Sequence, residues 1–171
     1  MEAVPETMLA EFIRYNNWAN QQVLEACQKL DEAQLAATMP GAYGTIRATL
    51  EHIIEGEAFY IGLLTGSRPK PRFQWKAKPG FSEMRKYATQ IGNLLVDAIQ
   101  RVRPTDRVEE EDQGNKFRYQ ARAIFIQIIN HGVEHRTNIT TILSAGEHTA
   151  PAVDGWGYLS AHADRFDYEV S

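Results

Sequence analysis

The chain has 171 residues and a mass of 19.4 kDa, close to the roughly 150 residues of one domain, so residues 1–171 are expected to form a single unit. Hydrophobic residues make up 43% and charged residues 23%, enough apolar side chain for one core and too much for a disordered chain. Lysine plus arginine number 18 against 22 aspartate plus glutamate, a formal charge of −4, and no long basic run offers nucleic acid an electrostatic footprint.

From Glu6 to Leu30 the apolar residues Leu9, Phe12, Ile13, Val23 and Leu24 recur at helical spacings among good helix formers, which predicts a first long amphipathic helix. A loop with Pro40, Gly41 and Gly44 follows. Thr45 is the N-cap expected for a second helix carrying Ile46, Leu50, Ile53, Ile54, Phe59, Leu63 and Leu64, with Gly66 as its stop. Residues 67–80 hold Pro69, Pro71 and Pro79 among basic residues and read as a long crossover, able to join parallel neighbours.

Ser82 and Glu83 open a third helix through Tyr87, Ile91, Leu94, Leu95, Ala98, Ile99 and Val102, closing before Pro104. Residues 107–119 centre on Gly114-Asn115, and neither flank has helical spacing, so a short hairpin or an ordered loop is expected there. A fourth helix runs from Ala121 to Ala145 and stops at Gly146. The last segment has room for one short helix around Tyr158 to Asp164. Four helices of about 20 residues, each roughly 30 Å long with an apolar stripe, bury that stripe most simply as an all-α four-helix bundle with a short C-terminal extension. Long connections argue against strict up-down order.

Cys27 is the only cysteine, which removes an intramolecular disulfide and a thiolate zinc cluster and fits a reducing compartment. The N-terminus, Met1 to Glu6, has neither the basic region nor the apolar run of a signal peptide, and no segment approaches the roughly 18 apolar residues of a membrane span. A cytoplasmic protein without membrane partner is the expectation.

Histidine carries the chemical signal, because His52, His131 and His135 lie inside helical segments that are otherwise apolar. His131 and His135, four residues apart, fall about 40° apart on one helix face and one turn along it, a spacing able to grip one metal ion. His52 is flanked by apolar residues that turn its helix inward, and three imidazoles would leave coordination positions open, as in catalytic zinc or nickel sites. A hydrogen-bonded or surface histidine pair is the plain alternative, since spacing alone does not bring the second and fourth helices face to face.

Two known helical metal signatures bear on these residues. The ferritin-like Glu-x-x-His pattern fails, because Thr49, Ile128 and Gly132 stand three before the histidines. The zincin His-Glu-x-x-His fails at Gly132, while His131-Gly132-Val133-Glu134-His135 matches the inverted His-x-x-Glu-His, a short pattern with only Glu147 and Glu169 as downstream carboxylates.

Tyr15-Asn16-Asn17-Trp18-Ala19-Asn20, Gly44 through Ile54, and Asn130-His131-Gly132-Val133-Glu134-His135-Arg136 resemble, in order, the helix motifs of the DinB/YfiT-like helical bundle family. The resemblance covers most of the chain, and all three histidines fall where that family's metal ligands do. It implies a left-handed up-down-down-up bundle, a divalent metal, commonly nickel or zinc, held by His52, His131 and His135, and frequent homodimers. Relatives of this kind include transferases and isomerases that use bacillithiol, mycothiol or glutathione, and a metal-dependent hydrolase, so the fold does not settle the reaction.

Glu55, three residues after His52, and Glu134, beside His135, are candidates to orient a ligand imidazole or act as base, with solvated helix carboxylates as the bland reading. Asn16, Asn17 and Asn20 are candidate cofactor-pocket residues, with local hydrogen bonding an equal explanation. Trp18, Trp75 and Trp156 are read as core or interface, Cys27 as a small buried residue, and His148 and His162 as ordinary surface or cap histidines. The leading expectation is a transferase in which the metal activates a low-molecular-weight thiol for attack on a small electrophile, in stress or detoxification. The alternatives are metal-dependent hydrolysis and a non-catalytic binding bundle.

Overall fold

In the computed structural model the structure describes residues 7–168; Glu6 and Glu169 lie outside them. The first helix, α1 (Met8–Cys27), opens where the Thr7 hydroxyl accepts from the Ala10 amide at 3.2 Å. It buries Ala10, Ile13, Asn16, Ala19, Asn20, Val23, Leu24 and Cys27. Phe12, counted in the apolar stripe, is instead 48% exposed, and two asparagines occupy the centre of the buried face.

The helix ends at Cys27, before the expected Leu30, because Asp31 starts a separate turn, α2 (Glu32–Leu35). Its capping box is complete: Asp31 accepts from the Gln34 amide at 2.8 Å while Gln34 accepts from the Asp31 amide at 2.9 Å. Asp31-x-x-Gln34 is a legible signal that the reading of a single long helix passed over.

The second long helix, α3 (Ile46–Thr65), starts at Thr45, whose hydroxyl accepts from the Ala48 amide at 3.1 Å, and stops at Gly66 in the left-handed conformation, φ 74°. The proline-rich crossover contains one 3₁₀ turn, Trp75–Ala77. Helix α4 (Phe81–Arg101) begins one residue before Ser82, since Glu83 accepts from the Gly80 amide at 3.2 Å and sets the start at Gly80. Residues 107–120 form the antiparallel hairpin β1 (Arg107–Asp112) and β2 (Asn115–Gln120), the only strands among the described residues. Helix α5 (Ala121–Ala145) follows directly and is capped by Gly146. The short α6 (Gly155–Ala161) sits slightly upstream of the expected Tyr158–Asp164, because Asp154 caps it through the Gly157 amide at 2.8 Å, and a 3₁₀ turn, Ala163–Phe166, completes the segment.

The four long helices form a square in which α1 and α3 each touch both α4 and α5. Cross-helix contacts set the directions. Asn17 meets Gly92 and Glu25 meets Arg85, so α1 and α4 are antiparallel. Tyr43, His52 and Tyr60 meet Asn138, His131 and Gln127, so α3 and α5 are antiparallel. Arg47 reaches Met84 and Phe81, start against start, so α3 and α4 run parallel across the long crossover. The order is up-down-down-up. Ile13, Leu24, Ile61, Ile91, Leu95, Ile128, Ile139 and Leu143 fill the centre, each fully buried. No helix among the described residues is long and apolar enough to cross a membrane.

Helix α6 is clasped to α1 by polar groups and rings. Glu11 accepts from the Tyr158 hydroxyl at 2.6 Å and from Arg165 at 2.8 Å, Tyr15 donates to the Val153 carbonyl at 2.8 Å, and Trp18 packs on Tyr158 at 5.4 Å between ring centres. Trp18 and Trp75 are half-buried, whereas Trp156 is 77% exposed and fills no core. Cys27 is buried, which pushes its thiol up to about 12 and leaves it unreactive.

Partial burial opposes ionisation of Glu11, but the hydrogen bond from Tyr158 and the charges of Arg165 and Arg14 outweigh it and hold the carboxyl below its ordinary 4.5. A carboxyl held low in the folded chain contributes stability above the unfolded value and loses it as pH falls through the folded one. Glu11→Gln is therefore expected to lower stability by about 1 kcal/mol at pH 7, a figure kept small by solvent screening. In urea melts followed by tryptophan fluorescence, the gap between wild type and variant should close below pH 4.5; a gap unchanged at acid pH would show that the clasp does not depend on this charge.

Candidate metal centre

The histidines of α3 and α5 converge. His52, His131 and His135 each present a ring nitrogen, and these three atoms lie within 4.8 Å of one another, the only such cluster of histidine, cysteine or carboxylate groups among the described residues. His52 Nε2 and His131 Nε2 are 3.0 Å apart, the separation of two nitrogens each about 2.0–2.1 Å from a shared ion, roughly 2.9–3.4 Å. The antiparallel pairing of α3 and α5 makes this possible by bringing residues 79 apart in sequence onto one level.

Each ring is held by packing. Tyr43, from the loop before α3, stacks on His52 with centroids 4.0 Å apart and planes 16° from parallel, and meets His135 edge-on at 5.0 Å. Tyr60 approaches His131 edge-on at 5.6 Å. Gly56 lets the His131 ring lie directly on α3, since a Cβ there would stand 2.8 Å from its Cε1.

The electrostatics favour neutral imidazoles. Burial lowers His131 to about 4, with further repulsion from His135, His52 and Arg136. Burial also lowers His52, helped by His135, and lowers His135 against the opposing pull of Glu134. Neutral rings with free lone pairs are the state a metal requires. Nδ1 of His131 and of His135 are buried and meet no partner among the described residues. Three neutral nitrogen donors fit a borderline divalent ion such as zinc or nickel better than a hard, oxygen-seeking one.

A buried polar network stands beside this centre. Asn16 and Asn20, one turn apart on α1, each donate from Nδ2 to the same Glu57 Oε1 at 2.7 Å. Arg136 Nη1, on α5, donates to the Oδ1 of both asparagines at 2.8 and 2.6 Å. Each amide thus relays between a cation and a carboxylate, and all four side chains are at most 5% exposed. Burial pushes the Glu57 carboxyl up, opposed by the two amides and the Arg136 charge. Gly132 fits under this network, because a Cβ there would fall 2.3 Å from Asn16 Oδ1 and 2.6 Å from Arg136 Nη1.

The structure therefore places Asn16 and Asn20 toward Glu57 and Arg136, and Asn17 against Gly92 of α4. Glu55 is turned to Arg68, which it pairs with, and to the Trp75 indole at 2.6 Å. Glu134 is exposed to solvent. Neither carboxylate belongs to the histidine cluster. The sequence alone assigns no role to Tyr43, Gly56, Glu57 or Arg136. The available signal was polarity out of place, since Asn16, Asn20, Glu57 and Arg136 all fall on helix faces that otherwise carry core residues.

Two outcomes follow from this geometry. Gly132→Ala is expected to cost about 1–3 kcal/mol by overpacking, and Arg136→Met about 3–5 kcal/mol by leaving Glu57 buried without its counter-charge; thermal melts with equal losses for an exposed control, Val133→Ala, would contradict this. Because the rings are already neutral, zinc uptake at pH 7 should release well under one proton per ion, measured by calorimetry in buffers of different ionisation enthalpy. Release of two or more would mean that the rings are protonated in the free protein.

No curated protein matches the chain. The DinB family profile matches residues 5–166, spanning the four helices and all three histidines, and the chain belongs to the DinB family.

Proposed function

We propose that the chain is a metal-dependent thiol S-transferase: His52, His131 and His135 hold one divalent ion, nickel or zinc, and a low-molecular-weight thiol attacks a small electrophile in a stress or detoxification reaction. The observation that carries this reading is the convergence of three neutral imidazoles on one point, with His52 left partly open to solvent. A divalent ion held there would supply Lewis-acid stabilisation of a thiolate at neutral pH.

The chain's own residues bind and orient. Tyr43 fixes the His52 ring by stacking, and the Asn16, Asn20, Glu57 and Arg136 network holds α5 against α1 and α3, so both histidines of α5 keep their aim. In the reaction the thiol releases its proton to solvent, the sulfur lone pair forms the new S–C bond and the leaving group departs with its bonding pair. Hydrolysis would instead call for a carboxylate base beside the centre, whereas Glu55 is engaged by Arg68 and Trp75 and Glu134 faces solvent. A thiol needs no such base once its charge is stabilised.

Elemental mass spectrometry of the purified protein is expected to find about one divalent ion per chain, lost when His131 and His135 are both changed to alanine. Thiolate absorbance should then show the metal-loaded protein lowering a cellular thiol from a pKa of about 8.5 to below about 7.5, with faster conjugation to a model electrophile. Metal-loaded protein that does neither for any cellular thiol would remove the transferase reading.

A further inference from the structure

The hairpin and the adjoining ends of α3 and α5 enclose a groove of about 430 Å³. Two aromatic residues of α3, Phe59 and Tyr60, face two of β2, Phe117 and Tyr119, and β1 contributes Glu110 and Asp112. None of the residues lining the groove is a lysine, arginine or histidine.

The strand register makes this composition informative. Residues directly opposite in an antiparallel pair share a face, and Val108 pairs with Tyr119, Glu110 with Phe117 and Asp112 with Asn115. Val108 is 5% exposed, so its face is the one packed on the helices. On that side, where alternation would ordinarily place apolar side chains, the chain puts two carboxylates beside aromatic rings: Glu110, which accepts from the Tyr119 hydroxyl, and Asp112 at the exposed tip. The outer face holds Glu109, which pairs with Arg118 at 2.6 Å, and Glu111 opposite Lys116. Phe117 keeps 46% of its surface exposed beside the groove, which leaves ring surface for a ligand, and the Phe59 ring already carries a cation, the Arg68 guanidinium 5.9 Å from its centroid. Aromatic faces combined with nearby negative charge are the environment that attracts substituted ammonium groups.

The groove abuts the histidine cluster through one side chain. Tyr60, whose hydroxyl accepts from Gln127 at 3.3 Å, is the same ring that meets His131 edge-on. A ligand resting on Tyr60 is one ring away from the metal centre.

We propose that this groove binds the positively charged, substituted-ammonium group of the small-molecule substrate, making an organic cation the substrate class; this rests on the transferase reading. Choline is the probe, with its uncharged isostere, in which a tert-butyl group replaces the trimethylammonium, as control. In amide chemical-shift titrations of the metal-loaded full chain, choline should perturb residues 107–120, and the isostere should bind at least about tenfold more weakly. Phe117→Ala and Asp112→Asn, both at exposed hairpin positions, should each weaken choline by about threefold or more with metal content unchanged. Equal binding of choline and isostere, or no perturbation of the hairpin by choline, overturns the proposal. Choline binding without any thiol conjugation would defeat the transferase reading and leave the cation groove standing. Conjugation of uncharged electrophiles with no choline binding would defeat the groove alone.

Discussion

Everything at the metal centre depends on a charge buried where no charge is comfortable. Arg136 is 1% exposed and Glu57 2% exposed, and either alone would cost several kcal/mol to keep dry. They are reconciled through two asparagine amides, which satisfy one atom of each ion and require α1, α3 and α5 to stand at fixed heights. Apolar packing tolerates small slides of one helix on another; a network with four directional hydrogen bonds does not. Because His135 and Arg136 are neighbours, and His131 lies just over one turn before Arg136, fixing the guanidinium also fixes the imidazoles. Gly132 belongs to the same constraint, as the position where α1 approaches too closely for any side chain.

The network also shapes the electrostatics of the histidines. A buried guanidinium beside His131 disfavours a second positive charge there, adding to burial and to the two neighbouring rings. The network leaves the imidazoles themselves unoccupied, since its hydrogen bonds close on Asn16, Asn20 and Glu57. Structural charge and ligand lone pairs are thus kept on separate atoms a few residues apart. Arg136 Nη2 is buried and has no hydrogen-bond partner among the described residues, so this separation carries a local cost.

Most of the fold was legible because its signals are local. Thr45 and Gly66 mark the ends of α3, Gly146 that of α5, and the absence of helical spacing around Gly114-Asn115 marks the hairpin. These are decided by backbone capping and turn chemistry within a few residues. The departures have equally local causes: Asp31 and Gln34 form a cap that cuts α1 short, and Asp154 moves α6 upstream. The three histidines were legible from polarity inside apolar helices, but their meeting point required the antiparallel pairing of α3 and α5. The asparagines of α1 stand out in the sequence as either pocket residues or hydrogen-bonding ones. Their partners Glu57 and Arg136 lie 37 to 120 residues away, a separation that local reading does not bridge. Tyr43 was hidden for a similar reason, since a loop tyrosine has no period to betray that it stacks on His52.

Charge is distributed around His52 in a way that bears on what can approach it. Residues 67–80 carry Arg68, Lys70, Arg72, Lys76 and Lys78 without an acidic residue, whereas residues 109–112 are all acidic. Arg68 and Lys78 are spent on Glu55 and Glu32, but Lys70, Arg72 and Lys76 have no ion pair among the described residues. The basic crossover lies along the α3 flank that bears Glu55, and the acidic hairpin lies along the flank that bears Tyr60. With screening over about 8 Å at physiological salt, each patch acts on its own side of α3 rather than cancelling the other. An anion is therefore drawn to the Glu55 flank of the helix that presents His52, whereas the hairpin, which pairs Glu109 with Arg118 and sets Glu111 opposite Lys116, pulls on a cation mainly through Glu110 and Asp112.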